Sequence, residues 1–430
     1  MNTVPENKDW ARGDALGLDL PAHAAALAEG GEAYLTRAFQ AAGALAADNR
    51  VVRIIELAEC PGGSTGRKLL LSVAYATPGL PERLFVKFSR DFDDPVRDRG
   101  RDQMELEVRF ALMSRAPGFP IAVPACLYAD YHHASGTGVL ITERIGFGED
   151  GIEPHYEKCL DYEMPEPLEH YQALLTALGR LAGAHRAGRL PPYVATEFPV
   201  ELDRLIAADP IRHDADKLQG RVARYADFAA EFPHLLPDNI RAPGFIARLN
   251  QDVVRFKAEE AAIKRYLHSN PDLIALCHWN TNVDNAWFWR GEGGRLQCGL
   301  LDWGRVGQMN VALALLGGLS AAEPEMWDSH LDDLLALFAR EYAQAGGPGL
   351  DVQTLKLNFC LFVAVMTLAW MIDAPALIRA RMPDLAEAKD RHDERFKTNE
   401  TARTQLHMLT NFLNLWERQD FGALLGKVAT

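Results

Sequence analysis

Basic residues are scarce in this chain. Among 430 residues, Lys and Arg number 45 against 59 Asp and Glu, a formal charge of −14. A net anion of that size is repelled by phosphate backbones and anionic lipid. Nucleic acid and membrane surfaces are therefore not expected as partners, unless a local patch overrides the total. Cysteine is sparse too. The six (Cys60, Cys126, Cys159, Cys277, Cys298 and Cys360) form no C-x-x-C pair. That argues against a zinc or thioredoxin-type motif and fits a reducing compartment. The first twenty residues lack a basic segment followed by an apolar run, so no secretory leader is expected. The longest apolar stretch, 359–372, is interrupted only by Thr367. It falls short of the about 20 residues a bilayer requires and fits a buried core helix. Disorder and low complexity are equally out of keeping with 48% hydrophobic and 24% charged residues. These absences leave a cytoplasmic protein of two or three lobes.

Residues 21–47, rich in Ala, Leu and Glu, predict a leading helix. Val51–Leu57, Lys68–Tyr75 and Leu84–Phe88 read as strands, with Gly and Pro turns between them. Met104, Val108 and Leu112 recur every four residues and predict a helix over 101–116. Val139–Ile145 is another strand, closed by Gly146 and Gly148. The pattern predicts a small antiparallel sheet with one packed helix over 1–145. A larger, mostly helical lobe follows over 146–430, with helices at 168–188, 250–268, 328–345, 353–372 and 400–416. One hairpin interrupts it, Asn285–Trp289 and Leu296–Leu301 about a Gly-rich turn. The fold class is α+β.

Four pieces of this order carry chemistry. The turn Gly62-Gly63-Ser64-Thr65-Gly66 brings backbone N–H groups close to any phosphate, though alone it reads more readily as a plain hairpin turn. It is not a Walker A loop, because Lys68 is displaced from the required position and a strand follows. Lys87 lies inside an apolar strand, where an ammonium needs a partner, and Glu107 on the next helix fits. An edge-strand lysine facing water is the alternative. The segments His278-Trp279-Asn280…Asn285 and Leu301-Asp302-Trp303-Gly304 flank the hairpin. Asn285 and Asp302 would make a two-oxygen site for a hard cation such as magnesium.

On these motifs the chain resembles the protein-kinase-like small-molecule phosphotransferases, which include the aminoglycoside phosphotransferase and choline kinase families. It looks closest to the ecdysteroid-kinase-like branch. Met104-x-x-Glu107-x-x-Phe110, the strand 138–145, Leu181-x-x-x-His185 and the hairpin to Trp303 fall in family order. The resemblance spans roughly residues 30 to 320 and implies a bilobal kinase-like fold. It implies that Lys87 binds the phosphates of ATP and pairs with Glu107. The backbone of Glu143–Ile145 would hold adenine, and Gly62, Gly63 and Ser64 would cover the phosphates. Asn285 and Asp302 would hold Mg2+, and His278 would brace the loop. The acceptor would be a hydroxyl of a small organic molecule.

The chain departs from the family at one chemical point. The pattern H-x-D-x-x-x-x-N carries Asn280 where the family has the aspartate that accepts the hydroxyl proton. Asparagine accepts a hydrogen bond but not a proton at neutral pH. Two readings follow: a phosphotransferase in which Asn280 orients the hydroxyl, or a pseudokinase that binds nucleotide or a metabolite without turnover. Asp284 is a weak replacement base. Gln308-Met309-Asn310 and Ala314-Leu315-Leu316 stand where the family has further acidic residues, so the acceptor side looks rebuilt. Blander readings suit the rest. Asp130 and His132-His133 are read as a solvated turn, Trp279, Trp287, Trp289 and Trp303 as core and pocket wall. Arg97–Arg101 is read as the approach to the Glu107 helix.

Overall fold

Successive side chains of a strand point to opposite faces, and the sheet of this protein uses both. The protein is described by a computed structural model over residues 9–60, 62–63 and 65–428. It divides into two compact units. Unit 1 comprises the chain up to Asp150 with Leu190–Phe198 and Gly299–Gly307; unit 2 is the remainder.

Unit 1 opens on a small ribbon, β1 (Trp10–Arg12) paired with β2 (Asp19–Pro21), and α1 (Ala24–Ala41). Its main sheet has β3 (Val51–Glu59), β4 (Arg67–Tyr75), β5 (Arg83–Phe88), β6 (Cys126–His132) and β7 (Thr137–Glu143), all antiparallel, in the order β3-β4-β5-β7-β6. Leu69, Leu71, Val73, Leu84, Val86, Phe88, Val139 and Ile141 project to one face and bury Leu27, Leu35 and Phe39 of α1. After the short α2 (Pro95–Asp98), α3 (Gln103–Met113) covers the other face, laying Met104, Val108 and Ala111 on Cys126, Ala129 and Leu140. The sheet thus carries a helix on each side, and α1 supplies the second.

One expectation is corrected here. Asp130 is not part of a solvated turn: it lies within β6 and is fully buried. Its carboxylate accepts the N–H groups of Ala15 and Leu16, each at 3.0 Å, and so pins the β1–β2 ribbon. The polar residues of Asp130–Gly138 hide an alternation that continues the strand to His132. His133, at the turn, is exposed and meets Glu105 at 3.0 Å.

Unit 2 is mainly helical. Its α4 (Pro167–Arg186) packs on the helix Pro324–Gln344 closely enough that a Cβ on Gly183 would stand 2.2 Å from the Tyr342 carbonyl oxygen. The helix Val352–Ala369 takes in most of the apolar run. By length and composition it could cross a membrane, but 61% of it is buried, with Phe359, Leu361, Val363 and Leu368 in the core. Strands β8 (Ile274–His278), β9 (Ala286–Arg290), β10 (Leu296–Leu300) and β11 (Val306–Asn310) form two ribbons, β8 with β11 and β9 with β10. The His185 Nδ1 accepts the Leu276 N–H at 3.2 Å and ties α4 to β8. Burial, helped by Arg186, pushes that imidazole down to about 4, so it is a neutral acceptor. All six cysteines are free thiols.

Candidate functional site

The register of the sheet places the charged groups of unit 1. Lys87 of β5 stands opposite Lys68 of β4 and Leu140 of β7, so both lysines rise on the α3 face. There the Lys87 ammonium meets Glu107 Oε1 at 2.6 Å and Asp302 Oδ1 at 2.9 Å. Lys87 is therefore not an edge-strand lysine turned to water; its side chain is 15% exposed and that of Glu107 9%, whereas that of Asp302 is 47% exposed. Burial alone would lower the Lys87 pKa, but the two carboxylates outweigh it and hold it above the ordinary lysine value. Burial pushes the Glu107 carboxyl up, with Lys87 opposing and Asp302 adding to the rise. Asp302 adopts the left-handed conformation at φ 60°, which aspartate tolerates better than most residues. The following Trp303 stacks on Phe110 of α3 at 3.6 Å and 15°, and its Nε1 donates to the Leu300 carbonyl. That stacking fixes the segment carrying Asp302 against the helix carrying Glu107.

The glycine turn is built rather than loose. Gly62, Gly63 and Gly66 all have positive φ, and a Cβ on Gly66 would stand 1.9 Å from the Phe88 carbonyl oxygen. Arg97 of α2 donates to the carbonyls of Gly62 and Gly66. The same guanidinium and that of Arg67 pair with the buried Asp91 at 3.3 and 3.0 Å. Sequence pattern gives Arg97 no role in the turn. Its bonds run to backbone carbonyls more than thirty residues away, which leave no mark in local sequence. A Cβ on Gly63 would stand 2.0 Å from the Lys68 Nζ, so the Lys68 ammonium lies directly against the turn. Ser64 lies outside the described residues.

β7 ends at Glu143, so Arg144 and Ile145 follow the strand instead of closing it. The Glu143 N–H donates to the Ala125 carbonyl and the Arg144 N–H to that of Arg83, both at 2.9 Å. The Ile145 N–H donates to no other described residue. Arg144 is held by Glu56 at 3.1 Å.

Unit 2 holds the loop 278–285 in a chain of neutral bonds. The Asn280 N–H donates to His278 Nδ1 at 3.1 Å. Asn282 Nδ2 donates to Asn280 Oδ1 at 3.0 Å, and Ser320 Oγ donates to Asn282 Oδ1 at 3.3 Å. Asn285 Nδ2 donates to the Asn280 carbonyl at 2.8 Å, which turns its amide oxygen the other way. Gly317 lets the helix Val311–Leu319 sit on this loop, since a Cβ there would stand 1.6 Å from the Trp279 carbonyl oxygen. Asn282, Ser320 and Gly317 were not foreseen; their polar and small side chains carry no motif of their own. Asp284 pairs with Lys158 at 3.5 Å, and burial raises its carboxyl above the ordinary range. Trp287 is buried and stacks on Trp289 with ring centroids 6.0 Å apart.

No protein-family model and no curated protein matches the sequence. Solved structures do show similarity. A choline/ethanolamine kinase family protein from Mesorhizobium loti is 15% identical, with 83% of this chain and 92% of that one covered and a TM-score of 0.36. Choline kinase from Cryptosporidium parvum Iowa II is 13% identical, over 87% and 93% of the two chains, with a TM-score of 0.42. A microcompartment-associated aminopropanol kinase is 13% identical, over 86% and 93%, with a TM-score of 0.41.

Proposed function

We propose that the chain is a phosphotransferase that moves the terminal phosphate of ATP to a hydroxyl of a small organic molecule. One observation carries this reading: Lys87 is bonded at once to Glu107 and Asp302, beside a braced glycine turn. Phosphoryl transfer asks a protein for positioning and charge more than for covalent chemistry. A lysine held by one buried carboxylate is a fixed cation for phosphate oxygens, and the more exposed carboxylate would trade it for a metal ion. The backbone after β7 would take adenine through Glu143 and Ile145.

Magnesium is the cation expected from donor type alone. Asp302 offers a carboxylate and Asn285 an amide oxygen, both hard ligands of the kind Mg2+ accepts while keeping water and phosphate. Among the described residues, no group of three or more His, Cys, Asp or Glu could cage a metal by itself. When bound, the ion would neutralise charge on the phosphates. Asn280 would orient the acceptor hydroxyl, its own oxygen already aligned by Asn282.

A second reading, nucleotide binding without turnover, is favoured by Asn280 at the base position and by Asp284, the one carboxylate of the 278–285 loop, being turned to Lys158. Thermal-shift titration with ATP and Mg2+, followed by single-turnover assays on a panel of small alcohols and amino alcohols, tests both. Stabilisation by ATP with transfer to an alcohol supports the phosphotransferase. Stabilisation without transfer supports the binding module. No stabilisation sinks both.

A further inference from the structure

Lys68 is the cation for which the proposed mechanism has no use. It stands opposite Lys87 in the β4–β5 register, and its ammonium lies against Gly63 in the glycine turn. Leu69 and Leu71, buried on the far face, hold that register, because a slip of one residue would turn them outward. Lys87 has two carboxylate partners within 3 Å. Lys68 has no ion pair or hydrogen-bond acceptor among the described residues. It is partly buried, and an ammonium withdrawn from water without a counter-ion costs free energy. Burial and the neighbouring Lys87 both pull its pKa down; Asp302, Glu107 and Cys60 oppose them only in part. A cation held in this way, beside a turn of positive-φ glycines, has no anion bonded to it among the described residues.

We propose that Lys68 is a second cationic ligand of the nucleotide phosphates, placed beside Lys87, and that it sets a preference for the longer phosphate chain. This rests on the phosphotransferase reading. A nucleoside triphosphate lying under the turn reaches both ammonium groups. A nucleoside monophosphate needs only one of them, and adenosine neither.

The test is calorimetric titration of the full chain with MgATP, MgADP and adenosine, for the wild type and for Lys68→Met, Lys68→Gln, Lys68→Arg and Lys87→Met. Lys68→Met and Lys68→Gln are expected to weaken MgATP at least tenfold and MgADP less. Adenosine should stay within twofold of wild type. Lys68→Arg should recover MgATP to within threefold. The unfolding midpoint of Lys68→Met should not fall below that of wild type, since the variant removes a charge with no bonded partner among the described residues. Gln serves if Met disturbs folding. If Lys68→Met binds MgATP within twofold of wild type while Lys87→Met loses it, the assignment of Lys68 is overturned and the phosphotransferase reading stands. Equal losses for MgATP and adenosine would also overturn it, by showing a structural role. A wild type that binds no nucleotide overturns both.

Discussion

In unit 1, Lys87 is held between two carboxylates with Lys68 beside it; in unit 2, the bonds that hold the loop 278–285 run among His278, three asparagines and Ser320, with no carboxylate or ammonium in them. The first network depends on ionisation and the second does not. Ion pairs of the first kind are costly to bury and costly to break, so they persist where a charged ligand repays them. An amide chain of the second kind fixes geometry at little electrostatic cost, and it has no proton to give or take. On the proposed function, unit 1 would supply the charged groups for phosphate, and the 278–285 loop of unit 2 would orient an acceptor without general-base help.

The largest effect should come from breaking the charged side. Lys87→Met leaves Glu107 without its ammonium, and removing one partner of a buried pair costs about 3–5 kcal/mol. Phosphate transfer should fall below detection and urea unfolding should shift to lower denaturant. A stability loss under about 1 kcal/mol, the range of an exposed pair, would mean that the cluster behaves as surface charge.

The neutral side is probed by restoring a base. Asn280→Asp keeps an acceptor for Asn282 Nδ2 and adds a group able to take the hydroxyl proton. General-base catalysis contributes about 10²- to 10⁴-fold, so turnover should rise by about 10²-fold or more in single-turnover assays. Unchanged turnover in a variant that still binds ATP would place the chain among binding modules.

How much of this was legible in the sequence follows the same division. Lys87 and Glu107 were readable because a lysine in an apolar strand demands a partner and the helix face at Met104 and Val108 leaves Glu107 a place. Asp302 was readable from its place after the hairpin. Lys68 was passed over as a failed Walker lysine. Only the β4–β5 register shows it opposite Lys87, and register depends on a turn whose length the sequence leaves open. Asp130 was misplaced because its partners, Ala15 and Leu16, are more than a hundred residues away. In unit 2, Asn282, Ser320 and Gly317 act through a bond and a close approach that require the tertiary fold. Local pattern finds strands and helices; long-range acceptors and close packing it does not.

Unit 2 nevertheless contains one buried acid whose behaviour sharpens the contrast. Asp161 accepts from the Tyr171 hydroxyl through Oδ2, while its buried Oδ1 has no hydrogen-bond partner within reach among the described residues. Burial, together with the nearby Glu323 and against the Tyr171 bond, pushes its carboxyl up to about 8. The folded-state pKa lies above the unfolded one. The contribution to stability is therefore full in acid, falls as the unfolded chain loses its proton from about pH 4, and levels off above pH 8. The slope in that window is at most about 1.4 kcal/mol per pH unit. Asp161→Asn should flatten the decline of melting temperature between pH 5 and 8. An unchanged slope would mean that the carboxyl is ionised in the fold.

The smallest effects separate a glycine that unit 1 requires from one that unit 2 merely tolerates. Gly66→Ala would set a Cβ 1.9 Å from the Phe88 carbonyl at a φ of +54°, at the end of the strand that carries Lys87. Backbone there must shift, at a cost of about 1–3 kcal/mol, and the glycine turn would shift with it. Gly220, exposed within the helix Ala215–Glu231, has nothing within 4 Å of the place an alanine methyl would occupy. Alanine there should stabilise by about 0.4–1 kcal/mol through helix propensity and a less flexible unfolded chain. Urea unfolding of the two variants should move in opposite directions, and only Gly66→Ala should weaken ATP. If Gly66→Ala leaves both stability and nucleotide affinity unchanged, the turn is not the rigid cradle that Arg97 and Phe88 make of it.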